Sequence, residues 1–142
     1  MENRPLYNWL KLSDEERLSL FRETANRIGL PEYVIEKDWW VSLTLRIIFQ
    51  MDLAPHLVFK GGTSLSKGWH VIQRFSEDVD LAMDRRHLGF DKKMTITQVK
   101  KLRKASHGFM VNDFLPALQK EFEKFGITNL TFKVVNLKSS DQ

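Results

Sequence analysis

Apolar positions recur with a helical period up to about residue 50 and in shorter, mixed runs beyond it. After Ser13, Leu18, Phe21, Ala25 and Ile28 fall at three- and four-residue intervals, which places them on one helix face. Ser13 stands three residues before Glu16, the spacing of a capping box, and Gly29 with Pro31 closes the segment. A second helix is predicted over 31–50, with Ile35, Trp39, Leu43 and Ile47 spaced for burial. Leu57-Val58-Phe59 is too short for a helix and runs into Gly61-Gly62, which predicts a strand ending in a turn. Thr63 is the expected N-cap of a helix over 63–72, and 78–83 alternates as a second strand does. A loop is expected over 84–95. Thr95 and Gln98 then have capping-box spacing for a helix to about Ser106, and Gly108 interrupts that pattern. The next helix, 111–125, must absorb Pro116, whose missing N–H predicts a kink or break before Gly126 ends it. A third strand is predicted over 130–137. The sum is an α+β fold, an N-terminal helical pair with further helices packed on a short mixed sheet.

Composition narrows the class. The chain has 142 residues, 42% hydrophobic and 28% charged, which is enough apolar matter for one soluble domain with a real core and excludes disorder. We read 1–142 as a single domain, with 1–52 a helical lead-in and 53–142 the sheet-containing part. There is no cysteine, so neither disulfides nor a thiolate zinc site hold it together. No signal peptide is visible at the start, and the apolar stretch 39–49 is broken by Ser42, Thr44 and Arg46 and is too short to span a bilayer. A cytoplasmic protein is the expectation. The formal net charge of +4 is unevenly placed, because residues 1–40 carry six Lys/Arg against eight Asp/Glu. The basic excess is densest at Lys92, Lys93, Lys100, Lys101, Arg103 and Lys104. Such a run is either a solvated helix face or a track for a phosphate backbone.

The chemistry concentrates in Lys60-Gly61-Gly62-Thr63-Ser64-Leu65-Ser66-Lys67 and in Ser76-Glu77-Asp78-Val79-Asp80-Leu81. A strand that ends in two glycines and turns directly into a helix lets a phosphate approach backbone N–H groups closely. Thr63 and Ser64 add hydroxyls, and Lys67 shares their helical face. Gly61, Gly62, Ser64 and Lys67 thus form a candidate triphosphate cradle, although no Walker A spacing is present. Asp78 and Asp80, two apart on a strand, face one way, whereas Glu77 faces the other and is excluded as a ligand. Two hard carboxylates on one face suit Mg²⁺, which takes its remaining ligands from water and substrate phosphates. The same pattern also describes an amphipathic strand with a wet face. The order strand, Gly-Gly, helix, D-x-D strand favours the site.

The run FKGGTSLSKGWHVIQRFSEDVDLAMD closely resembles the first motif of the AbiEii/AbiGii toxin nucleotidyltransferases, a branch of the polymerase-β-like superfamily. Glu36-Lys37-Asp38-Trp39-Trp40 looks like the E-K-D-aromatic element that precedes that motif, so the resemblance covers about residues 30–84. It implies a nucleotidyltransferase-like domain that moves a nucleotide from an NTP to a hydroxyl acceptor with Mg²⁺. By the same resemblance Asp78 and Asp80 hold the metal, Gly62, Thr63 and Ser64 meet the triphosphate, and Lys67 neutralises it. Some relatives modify the acceptor end of tRNA and halt translation, as suits a toxin of an abortive-infection or toxin–antitoxin system in phage defence. The run bearing Lys100, Lys101, Arg103 and Lys104 then becomes a candidate RNA contact. A cognate antitoxin is a family expectation that does not require direct contact.

One departure stands out. Full members of that family look nearly twice this long, and their later motifs supply a third acid and a catalytic lysine. Beyond 130–137 this chain offers only Asp141, and no motif marks Lys133 or Lys138. An N-terminal fragment, weak or inactive alone, is therefore expected. The rival is a non-catalytic nucleotide- or RNA-binding module that keeps only the first motif. His56, His70, His87 and His107 lack zinc-ligand spacing, and Ser64 and Ser66 lie in no nucleophile elbow. Trp39 and Trp40 are either core or a stacking platform for a base. Lys37 and Asp38 are either a structural ion pair or part of a site wall.

Overall fold

Ser13 opens the first long helix as its spacing predicts. In the computed structural model, which describes residues 4–64, 67 and 78–135, α1 is Arg4–Leu10, α2 is Asp14–Ile28 and α3 is Glu32–Ile48. The Ser13 hydroxyl accepts from the Glu16 N–H at 3.2 Å, and the Glu16 carboxylate accepts from the Ser13 N–H at 2.7 Å. That second bond, chiefly, holds the Glu16 carboxyl below its usual range. Gly29 adopts φ 71 and donates its N–H to Ala25 O, ending α2 in the left-handed conformation that glycine takes without a Cβ penalty. Phe21 and Ala25 are buried, but Leu18 and Ile28 are 44% and 50% exposed. The expected four-residue stripe is narrower because α2 packs mainly on α3.

The helix α1 was not expected from the pattern. It carries Trp9, whose ring lies 5.1 Å from Phe21 and 5.2 Å from Trp39. Trp40 meets Trp39 edge-on at 4.9 Å. Such pairs add roughly 0.5–1.5 kcal/mol each beyond area burial, and Trp39 and Trp40, both half-buried, take part in this aromatic cluster. Val41, Leu43, Ile47 and Ile48 complete the buried face of α3, while Ile35 is only half-buried.

The strands β1 (Leu57–Lys60) and β2 (Asp80–Met83) pair antiparallel, Leu57 with Met83 and Lys60 with Asp80. The second strand thus starts at Asp80 instead of Asp78, because the ladder ends at the Lys60–Asp80 pair, where Gly61 turns the chain. The helical turn α4 (Gly61–Thr63) begins two residues before its expected start, with Lys60, not Thr63, as the N-cap. Glycine at 61 makes this possible by taking φ 78. Most of the helix expected over 63–72, residues Ser66, His70, Ser76 and Glu77, and Lys138 and Asp141 lie outside the described residues.

After Gly89 a second compact unit begins, so the chain divides into Met1–Gly89 and Phe90–Gln142. Thr95 caps α5 (Ile96–Phe109) with Gln98 in the predicted box, but neither Ser106 nor Gly108 ends it. The backbone instead runs through a π-helical turn, Met110–Phe114, into α6 (Leu115–Lys124). The wide turn lies immediately before Pro116 and accommodates the ring and the lost donor without a break. Phe114, Leu118, Phe122 and Ile127 are buried, and Phe132 packs on Phe122 at 6.0 Å between ring centres. Residues 130–135 form no strand, since no described strand is there to pair with them; the remainder of the expected 130–137 segment is outside the described residues. The sheet is consequently a two-stranded antiparallel one among the described residues, not mixed. None of the described helices is long and apolar enough to cross a membrane.

Candidate functional site

The β1–β2 ladder sorts its side chains by alternation. Leu57, Phe59, Leu81 and Met83 share the half-buried face, with Phe59 6.2 Å from Phe49 between ring centres. Val58, Lys60 and Asp80 share the other face and are exposed. Asp80 is therefore presented outward by the same alternation that anchors Leu81 inward. Asp78, two residues earlier, is also exposed and lies just outside the ladder.

Directly after Lys60 the chain reverses at Gly61, against the Asp80 side chain. A Cβ at Gly61 would lie 2.9 Å from Asp80 Cγ and 3.0 Å from Asp80 Cβ. The position thus requires glycine twice over, for its positive φ and for its missing side chain. Gly62 and Thr63 continue the turn, Ser64 N–H donates to Gly61 O, and Ser64 is buried at 6% exposure. The glycine backbone and one carboxylate of the D-x-D pair thereby become immediate neighbours.

Lys67 is drawn to α3. Its Nζ lies 2.6 Å from Asp38 Oδ1 and donates to Ser42 Oγ at 2.9 Å. Asp38 therefore belongs to an ion pair with a residue of the motif, and Lys37 sits 5.8 Å from the centre of the Tyr33 ring. Neither Asp38 as the partner of Lys67 nor Ser42 was singled out from sequence. Their i,i+4 spacing on a helix was the available signal.

The second unit carries the basic residues. Lys100, Lys101, Arg103 and Lys104 are all exposed on α5, and none is in an ion pair with a described residue. Lys100, Arg103 and Lys104 share a stripe, and Lys101 is turned about 100° from Lys100 around the axis.

Asp78 and Asp80 are hard oxygen donors, and among the described residues no group of three His, Cys, Asp or Glu converges on a point. A donor set of two carboxylates fits Mg²⁺, which completes its shell with water and phosphate oxygens. Asp84 is a different kind of acid. Arg86 donates to both its oxygens, at 2.6 to 3.0 Å, and these bonds hold its carboxyl down at about 2. It is a cap of the turn Arg85–Leu88, next to the stacked rings of His56 and His87.

An α+β fold with a strand, a glycine turn and a carboxylate-bearing partner strand in this order is that of a nucleotidyltransferase-like domain. Residues 44–141 match the family model described as nucleotidyl transferase AbiEii toxin, type IV TA system, and the chain belongs to that family. No curated protein and no solved structure matches it.

Proposed function

We propose that this chain transfers a nucleotidyl group from an Mg²⁺-bound NTP to a hydroxyl of an RNA acceptor, tRNA-like in form, and releases pyrophosphate. The observation that supports the reading is the close approach of Gly61 to the Asp80 side chain, because on this reading a phosphate on the glycine turn would lie beside a metal ligand. Asp78 and Asp80 hold the Mg²⁺, whose chemistry is to neutralise charge on the phosphates. Gly61, Gly62, Thr63 and Ser64 receive the triphosphate, and Lys67 opposes its charge. The acceptor oxygen bonds to the α-phosphorus as the bond to the bridging oxygen breaks. Lys100, Lys101, Arg103 and Lys104 follow the RNA backbone. In the cell the chain acts in the cytoplasm as the toxin of a toxin–antitoxin pair in phage defence, opposed by an antitoxin that need not touch it.

The test is label transfer onto total RNA with α-labelled and γ-labelled NTPs. The proposal expects weak Mg²⁺-dependent incorporation from the α position alone, abolished by Asp80→Ala. Incorporation from the γ position, or incorporation that survives Asp80→Ala, would contradict it. Mg²⁺-NTP binding without transfer would make the chain a nucleotide-binding module.

A further inference from the structure

An ion pair and two hydrogen bonds close a small circuit between Lys67 and α3. Lys67 Nζ lies 2.6 Å from Asp38 Oδ1 and donates to Ser42 Oγ at 2.9 Å, while the Ser42 hydroxyl donates to the Asp38 carbonyl at 2.8 Å. The last bond sets the other two. With its proton committed to the backbone one turn earlier, Ser42 can present only lone pairs to Lys67. An ammonium has three donors, and here Ser42 and Asp38 engage it from one helix face, which leaves an N–H for a further acceptor. The Lys67 and Asp38 side chains are 25% and 30% exposed, so the pair is partly sheltered but still reachable from solvent.

We propose that Asp38 and Ser42 are positioning residues for Lys67, which hold its ammonium in place so that the remaining N–H meets a phosphate oxygen of the bound nucleotide. This rests on the reading of Lys67 as the cation that opposes the triphosphate. A lysine on a free stem loses much rotamer freedom when it captures an anion, and this one has lost it on folding. Asp38 and Ser42 together fix the direction of the ammonium. A tie that served only to join α3 to the turn would leave anion affinity untouched.

The test measures binding of Mg²⁺-tripolyphosphate to the full chain by calorimetry, with thermal melts beside it. Lys67→Ala should lose at least about ten-fold in affinity, and Ser42→Ala and Asp38→Asn about three- to ten-fold. Ser42→Thr, which keeps the hydroxyl, should bind within about two-fold of the wild type. The decisive comparison is the double variant Ser42→Ala/Lys67→Ala, which should bind no more weakly than Lys67→Ala alone. Wild-type affinity in Lys67→Ala, or no binding by the wild type, would overturn the triphosphate reading and this inference together. Weakened binding in Lys67→Ala with unchanged binding in both Ser42→Ala and Asp38→Asn would leave that reading standing and overturn the inference.

Discussion

Gly61→Ala is the substitution whose cost can be worked from the structure. Alanine at φ 78 suffers the left-handed penalty, roughly 1–2 kcal/mol. Its Cβ would also fall 2.9 Å from Asp80 Cγ and 3.0 Å from Asp80 Cβ. Rotating the carboxylate relieves the first clash but not the second, so β2 must also shift, an overpacking cost of roughly 1–3 kcal/mol. The expected total is about 2–5 kcal/mol. Gly89→Ala supplies the control, because Gly89 has φ 85 and nothing within 4 Å of its would-be Cβ. It should cost only about 1–2 kcal/mol. The assay is urea unfolding followed by tryptophan fluorescence, which reports on the first unit because no tryptophan occurs in the sequence after residue 89. Equal destabilisation by the two substitutions would refute the claim that Gly61 is packed on Asp80. Greater loss in Gly61→Ala, partly relieved when Asp80→Ala is added, is the predicted result.

Other consequences follow from named contacts. Ser13→Ala removes a capping-box bond and should cost about 1 kcal/mol in the same fluorescence assay. Asp84, held at about 2 in the folded chain by Arg86, favours the folded state fully above its unfolded value, and this contribution is lost as pH falls from about 4 through 2. Asp84→Asn should therefore lower stability near neutrality, where that contribution is fully present, and flatten the acid limb of a stability-versus-pH profile over that window. Charge reversal of Lys100, Lys101 and Lys104 should weaken RNA binding and reduce its log–log salt slope by about two, at about 0.7 per single-strand phosphate contact. An unchanged slope would return those residues to a merely solvated face.

The elements that were legible in the sequence are those whose signals are local. Both capping boxes, the glycine stops at Gly29 and Gly126, and the short strand before Gly61 depend on a few adjacent residues, and they stand where spacing put them. The failures are tertiary. A strand over 130–137 was read from β-branched residues, but composition cannot supply a partner strand, and Val135 stays 71% exposed. At Pro116 a kink or break was read from the missing N–H, and the backbone runs through a π turn just before it that sequence does not announce. Within the site, the D-x-D and Gly-Gly elements were visible as patterns, and their adjacency came only with the register that sets Lys60 opposite Asp80. The link from Lys67 to Asp38 and Ser42 joins residues 25 or more apart, beyond the reach of any periodicity.

The central claim is that Asp78, Asp80 and the Gly61 turn form an Mg²⁺-nucleotide site. Calorimetric titration of the chain with each Mg²⁺-NTP, beside the Asp78→Asn/Asp80→Asn variant, tests it most directly. The account predicts binding that requires Mg²⁺ and disappears in a variant that retains its melting transition. Equal binding by both proteins, or no binding by a folded wild-type chain, would contradict it.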